Sequence, residues 1–108
     1  VIIETRIYHC LPGRLPALHE RFSKTTLDFF KTYGIKPVGF WTTLVGHSNH
    51  ALTYMLQWES LQERERKWSA FQADPDWIAK RNASEAEKPI VERVENFFLT
   101  PTDYSPMR

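Results

Sequence analysis

The chain carries one cysteine, Cys10, in 108 residues. A lone thiol excludes an internal disulfide and a zinc site built on cysteines. It suits a reduced compartment, and a cytoplasmic location is expected. No apolar run approaches the roughly eighteen residues of a membrane-spanning helix. The opening stretch VIIETRIYHC alternates too regularly for a secretory signal. Neither sign of charge is in surplus, with fourteen basic residues against thirteen acidic and a net charge of +1. That balance gives nucleic acid or an anionic membrane no electrostatic footprint, so neither is expected as a partner. Linkers, internal repeats and low-complexity tracts are missing as well, and a single domain over 1–108 is expected.

Aromatic side chains, by contrast, are plentiful: four Trp, seven Phe and four Tyr. A domain of this size buries only about two-thirds of its unfolded surface. Its core is thin for so many rings, and some are expected at an interface with a second copy of the chain.

The first ten residues read as a strand, with Ile3, Thr5, Ile7 and His9 on one face and Glu4, Arg6, Tyr8 and Cys10 on the other. Pro12-Gly13 ends it. A helix follows over about 14–33. Leu15, Leu18, Phe22, Phe29 and Tyr33 form its apolar stripe, interrupted at Thr25 and Thr26, and Gly34 stops it. A second strand is expected over 35–45, with Pro37 placing its start at an edge or bulge. Gly46 to His50 is a turn in which Gly46 and Asn49 would supply the special backbone angles. A third strand follows over 51–59. Ser60 and Glu63 form a capping-box pattern ahead of a helix with Leu61, Trp68 and Phe71 inward and the ERERK charges solvated. Asp74-Pro75 starts a short helix, 76–81, that anchors Trp77 and Ile78. A charged stretch over 82–88, a loop or a frayed helix, leads to a last strand at 90–99.

The order β-α-β-β-α-β implies an α+β, ferredoxin-like fold, a four-stranded antiparallel sheet with its helices on one face. The bare face would expose a large apolar patch on a monomer. Pressing two such faces together in a homodimer closes a barrel around an enclosed space.

Candidate site residues follow from that geometry. Glu4, Arg6 and Tyr8 share one strand face and would meet the enclosed space. There Arg6 would fix an anionic or carbonyl oxygen, Tyr8 would donate a hydrogen bond, and Glu4 would orient Arg6 or move a proton. The alternative is a structural Glu–Arg pair. Trp41 and Thr43 lie on one face of the second strand, opposite Phe40, and could line the same space or pack the interface. In the turn, His47 could act at the cavity mouth as a general base, with Asn49 beside it. No second set of ligands accompanies His47, so no metal site is expected. His9, opposite Tyr8, would face the helices. His19 is expected at the edge of the first helix's stripe, and Cys10 as a small packed residue.

Several stretches taken in order resemble the NIPSNAP family. They are Glu4-x-Arg6-x-Tyr8 followed by Pro12-Gly13-Arg14, the segment from Gly39 to Asn49, Trp58 to Arg64, Ala73 to Trp77, and Thr100 to Pro106. The resemblance implies the dimeric α+β barrel fold, a group that also holds cofactor-free monooxygenases, stress-responsive barrel proteins and haem-binding relatives. It implies no defined activity. The expected function is binding or cofactor-independent transformation of a small, largely apolar molecule, with no cofactor. The rival reading is a non-enzymatic structural or interaction domain, and a weaker third, haem binding, comes by analogy alone.

Overall fold

Strand β1 (Ile2–Cys10) sits inside the sheet. It pairs antiparallel with β3 (Ala51–Trp58) on one side and β4 (Val91–Leu99) on the other. Strand β2 (Lys36–Thr42) pairs antiparallel with β3, giving the order β2-β3-β1-β4 in this computed structural model, which describes residues 1–108. The α+β, ferredoxin-like expectation is met. Pro37 lies in the edge strand β2, and the β2–β3 register slips between Pro37 and Gly39, as a proline without an N–H requires. β2 ends at Thr42, earlier than the expected Val45. Leu44 and Val45 then stand in the loop, 97% and 93% exposed.

The first helical run has three parts: α1 (Leu15–Arg21), a π-helical turn (Phe22–Thr26) and α2 (Leu27–Tyr33). Its fully packed positions are Leu18, Phe22, Thr26 and Phe30, each four residues apart. In a regular α-helix each such step would drift by about 40°. The wider π turn removes that drift, and the Thr26 hydroxyl donates to the Arg21 carbonyl at 3.3 Å across it. The extra residue also slips the phase of the stripe. Phe30, which the regular spacing passes over, is therefore the buried ring, and the expected Phe29 is only partly buried. Gly34 caps α2 at φ 69°.

Ser60 accepts from the Glu63 amide at 3.0 Å and starts α3 (Leu61–Gln72). Asp74 accepts from the Asp76 and Trp77 amides and starts α4 (Pro75–Ser84), three residues longer at its end than expected. Trp68 and Phe71 are inward as expected, but Leu61 is 55% exposed. The inward residue of that first turn is Arg64, four before Trp68, which corrects the reading of ERERK as a wholly solvated face. Gly46 and Asn49 do not adopt positive φ. Only Gly13 and Gly34 do. The turn relies instead on the Ser48 hydroxyl accepting from the His50 amide at 3.1 Å.

The helices cover one sheet face. There Leu52, Tyr54, Leu56 and Trp58 of β3 join Leu18, Phe22, Phe30 and Phe71 in the core. On the opposite face Trp41, Phe97 and Leu99 are each more than two-fifths exposed. No helix is long and apolar enough to cross a membrane.

Candidate functional site

Glu4, Arg6 and Tyr8 share one face of β1, but it is the face under the helices, not the bare one. The sequence alternation gives the pairing of residues to faces without saying which face the helices cover. Register decides that: Arg6 pairs with Tyr54 and Tyr8 with Leu52, both core positions. The expectation that the three residues line a space between two sheets is corrected accordingly. His9 moves the other way. It faces the bare side, where its Nε2 lies 2.6 Å from Glu95 Oε1.

Glu4 has no exposed surface. Its Oε1 accepts from Trp58 Nε1 and Arg64 Nε, each at 3.1 Å. Its Oε2 accepts from Arg6 Nη1 at 3.0 Å, Asn96 Nδ2 at 3.0 Å and Arg64 Nη2 at 3.1 Å. Burial works against the carboxylate charge, but the bonds from Arg64 and Asn96 and the charges of Arg6 and Arg64 outweigh it. Its pKa lies below the ordinary glutamate value. A carboxylate with both oxygens occupied holds its neighbours in place and meets no ligand directly.

Arg6 carries the network onward. Its guanidinium lies over the Trp68 ring at 4.4 Å, and its Nε donates to the Tyr54 hydroxyl at 2.9 Å. Burial opposes its charge. The Tyr54 and Tyr8 oxygens, with Glu4, outweigh that and raise its pKa. Tyr54 has no exposed surface, and burial, then Tyr8, push its phenol well above the ordinary value. Having accepted from Arg6, the Tyr54 hydroxyl donates to Tyr8 Oη at 3.0 Å, and Arg6 Nη2 also approaches Tyr8 Oη at 3.5 Å. Arg6 can only donate, and Tyr8 is the one acceptor beside the buried Tyr54 hydroxyl, so the Tyr54 proton is assigned to Tyr8 and the Tyr8 proton is free for the cavity.

Outward from Tyr8 is a cavity of about 300 Å³ open to solvent, bounded by β1, β4, α1, α3 and α4. Arg6, Tyr8, Arg21, Trp68, Trp77 and Arg81 are on its wall. Arg21 and Phe22 straddle the start of the π turn, a feature that often marks functional sites. Phe22 packs on the Tyr8 ring at 5.7 Å. A larger cavity of about 680 Å³ lies between α1 and α4. It is a solvated groove in which Lys24 already pairs with Glu20 at 3.0 Å and Arg14 donates to the Lys88 and Pro89 carbonyls. The smaller cavity is the better candidate, because the buried polar network ends in it.

The remaining expected residues are elsewhere. Trp41 and Thr43 flank a shallow hollow on the bare face, and His47 and Thr43 flank another with His9 and Glu95. Asn49 is exposed in the loop. The sheet therefore separates His47, Trp41 and Thr43 from Glu4, Arg6 and Tyr8, and the seven residues do not form one site. None of the four histidines lines the inner cavity. No group of three or more His, Cys, Asp or Glu is placed to hold a metal ion. The Cys10 thiol is buried, and burial raises its pKa. Sequence reasoning missed Arg64, Tyr54, Arg21 and Arg81. Arg64 and Tyr54 were findable, since Arg64 falls on the helix stripe marked by Trp68, and Tyr54 alternates with Leu52, Leu56 and Trp58 along the third strand.

The NIPSNAP family model matches residues 3–106. The chain belongs to the NIPSNAP family. Among solved structures, a NIPSNAP family protein from Agrobacterium tumefaciens superposes with a TM-score of 0.88 at 24% identity, over 99% of this chain and 98% of its own. An uncharacterized NIPSNAP domain protein from Burkholderia xenovorans gives 0.85 at 22% identity, over 98% of this chain and 99% of its own. SnoaB, a cofactor-independent oxygenase from Streptomyces nogalater, gives 0.62 at 14% identity, over 97% and 96% of the two chains. At these identities the likeness establishes the fold alone. No curated protein matches the sequence.

Proposed function

We propose that this NIPSNAP protein binds a small, largely apolar molecule in the cavity beneath its helices, with the Tyr8 hydroxyl donating to a carbonyl or enolate oxygen of that molecule. The observation that carries the reading is the hydrogen-bond chain from Arg6 through Tyr54 to Tyr8, which ends at the open cavity. Arg6 donates to Tyr54, Tyr54 donates to Tyr8, and the Tyr8 proton is free for the open cavity. A donor backed by a fixed cation stabilises charge developing on an oxygen. Arg6 acts behind Tyr8, and Glu4 is a positioning residue. Trp68 and Val94 supply apolar wall. SnoaB, a distant relative by fold, performs oxygenation without a cofactor. By fold analogy, a cofactor-independent reaction at Tyr8 extends the proposal.

The bare sheet face belongs to the same proposal. Half-exposed Trp41, Phe97 and Leu99 on one surface are the features of a face that pairs with a second copy. In that homodimer His47, Thr43 and Asn49 would lie near the interface, away from the ligand.

The test is a calorimetric titration of small phenols and aromatic ketones into the wild-type protein and into Tyr8→Phe. The expected result is a ligand whose affinity falls about tenfold or more in the variant, as for a lost hydrogen bond to a developing charge, with the circular dichroism spectrum unchanged. Equal affinity in the two proteins would remove Tyr8 from the site.

A further inference from the structure

We infer that the ligand of this cavity is a monoanionic acid, whose carboxylate is held at the α4 end by Arg81, Arg21 and the Trp77 indole. The inference rests on the reading of the cavity as a ligand site and names the class of molecule it takes.

Three observations converge there. The first is charge. Arg6, Arg21 and Arg81 line the cavity against one acid, Glu85. Arg6 is answered by Glu4 at 3.0 Å and Arg21 by Glu85 at 3.0 Å. Arg81 has only the neutral Gln72 amide, Nη1 to Oε1 at 3.5 Å. The second is a pair of idle donors. Trp77 and Arg21 are 5% and 8% exposed, yet Trp77 Nε1 and Arg21 Nε have no acceptor. A buried donor left unpaired is costly, so an acceptor that reaches it is favoured. The third is place. Trp77, Arg21 and Arg81 all contribute to the wall of the cavity that also contains Tyr8, with the two idle donor atoms buried just behind it.

The weak Arg81–Gln72 contact is at the limit of a hydrogen bond and is readily displaced. An entering carboxylate takes its place and meets the guanidinium fork with two oxygens, and a small shift of the Trp77 and Arg21 side chains toward it brings their buried donors onto the remaining lone pairs. Arg81 is the one arginine of the wall with no acid beside it. A second negative charge on the ligand would be repelled by the Glu85 carboxylate on the same wall. The Trp68 and Trp77 rings favour a flat body between the carboxylate and the oxygen that meets Tyr8.

The probes are para-coumarate, which has a phenol oxygen and a carboxylate at opposite ends, and its methyl ester. Each is titrated calorimetrically into the wild type, Arg81→Gln, Trp77→Phe and Tyr8→Phe. The acid is expected to bind at least about tenfold more tightly than the ester, about 1.4 kcal/mol. The ratio of acid to ester affinity should fall in both Arg81→Gln and Trp77→Phe, whatever each change does to the ring contacts that acid and ester share. Equal binding of acid and ester, both weakened in Tyr8→Phe, would overturn the carboxylate assignment and leave the cavity reading standing. An acid preference that survives in both Arg81→Gln and Trp77→Phe would place the carboxylate elsewhere and also overturn it. No binding of either probe to the folded wild type would overturn both readings.

Discussion

Arg64 donates from Nε to one oxygen of Glu4 and from Nη2 to the other, both at 3.1 Å, and so ties α3 to the central strand β1. Arg6, Trp58 and Asn96 complete the arrangement from β1, β3 and β4. Removing the carboxylate would leave two adjacent guanidinium groups without their counter-charge under the helices. Glu4→Ala is therefore expected to lose about 3–5 kcal/mol of stability in urea denaturation. Arg64→Met retains an apolar stem and leaves Glu4 three donor residues, so its loss should be smaller, about 1–3 kcal/mol. Equal losses in the two variants would show that Glu4 is not the centre of the network.

The same carboxylate should make stability depend on acid. Glu4 and Glu85 both have pKa values held below the ordinary 4.5. For Glu85, burial pushes upward and is outweighed by the Ile90 amide at 2.9 Å and by Arg21. A depressed folded-state pKa stabilises fully above the unfolded value, and that contribution is lost as pH falls through the folded one. Urea midpoints should be flat from about pH 7 to about pH 5 and fall below about 4.5. In Glu4→Gln the curve should start lower and fall less steeply, because one of the two carboxylates no longer titrates. A wild-type curve that stays flat below pH 4 would contradict the burial and bonding described for both groups.

Much of the fold could be read from the sequence because its signals are local. The Ser60 and Asp74 caps, the Gly34 stop and the alternation in β1 each depend on a few neighbouring residues. The site was harder, since it depends on which sheet face the helices cover. Alternation groups Glu4, Arg6 and Tyr8 together but is the same whichever way the strand is turned. Only the pairing with Tyr54 and Leu52 fixes it. Charge was also misleading. Arg64 and Arg21 look like solvated helix residues in a linear reading, yet one completes the Glu4 network and the other is buried beside a π turn that spacing rules based on 3.6 residues do not anticipate. The break at Thr25 and Thr26 was visible, but its effect, bringing Phe30 inward in place of Phe29, follows only from the wider turn.

Tyr54 and Tyr8 are bonded to each other, so their phenylalanine variants should separate structure from binding. Tyr54→Phe leaves Arg6 Nε without its buried acceptor and should lose about 1–3 kcal/mol. Ligand binding should persist at reduced affinity, since the Tyr8 proton still reaches the cavity. Tyr8→Phe removes a partly exposed hydroxyl and should lose less than about 1 kcal/mol while abolishing the contact to ligand oxygen. Urea melts and ligand titrations on both variants check this. The reverse pattern, with Tyr8→Phe the less stable and Tyr54→Phe the weaker binder, would mean that the hydrogen-bond chain runs the other way.

On the bare face Trp41 lies over Gly39, and a methyl group added at Gly39 would come within 2.8 Å of two ring carbons. Gly39 is thus small to let the indole lie flat, not to reach an unusual backbone angle, since its φ is not positive. Trp41 is 49% exposed, so in Gly39→Ala the ring can swing off the sheet. The protomer should lose within about 1 kcal/mol, typical of a surface change that a side chain can absorb. The shape of the face changes much more, because the displaced indole would stand where a facing sheet must pack. If two copies pair through this surface, Gly39→Ala should weaken the dimer while leaving the circular dichroism spectrum intact. Trp41→Glu, which places a charge on the bare face, should give monomers at concentrations where the wild type is dimeric. Sedimentation velocity across a dilution series distinguishes the cases. A wild-type protein that sediments as a single protomer throughout would show that this face meets something other than a second copy.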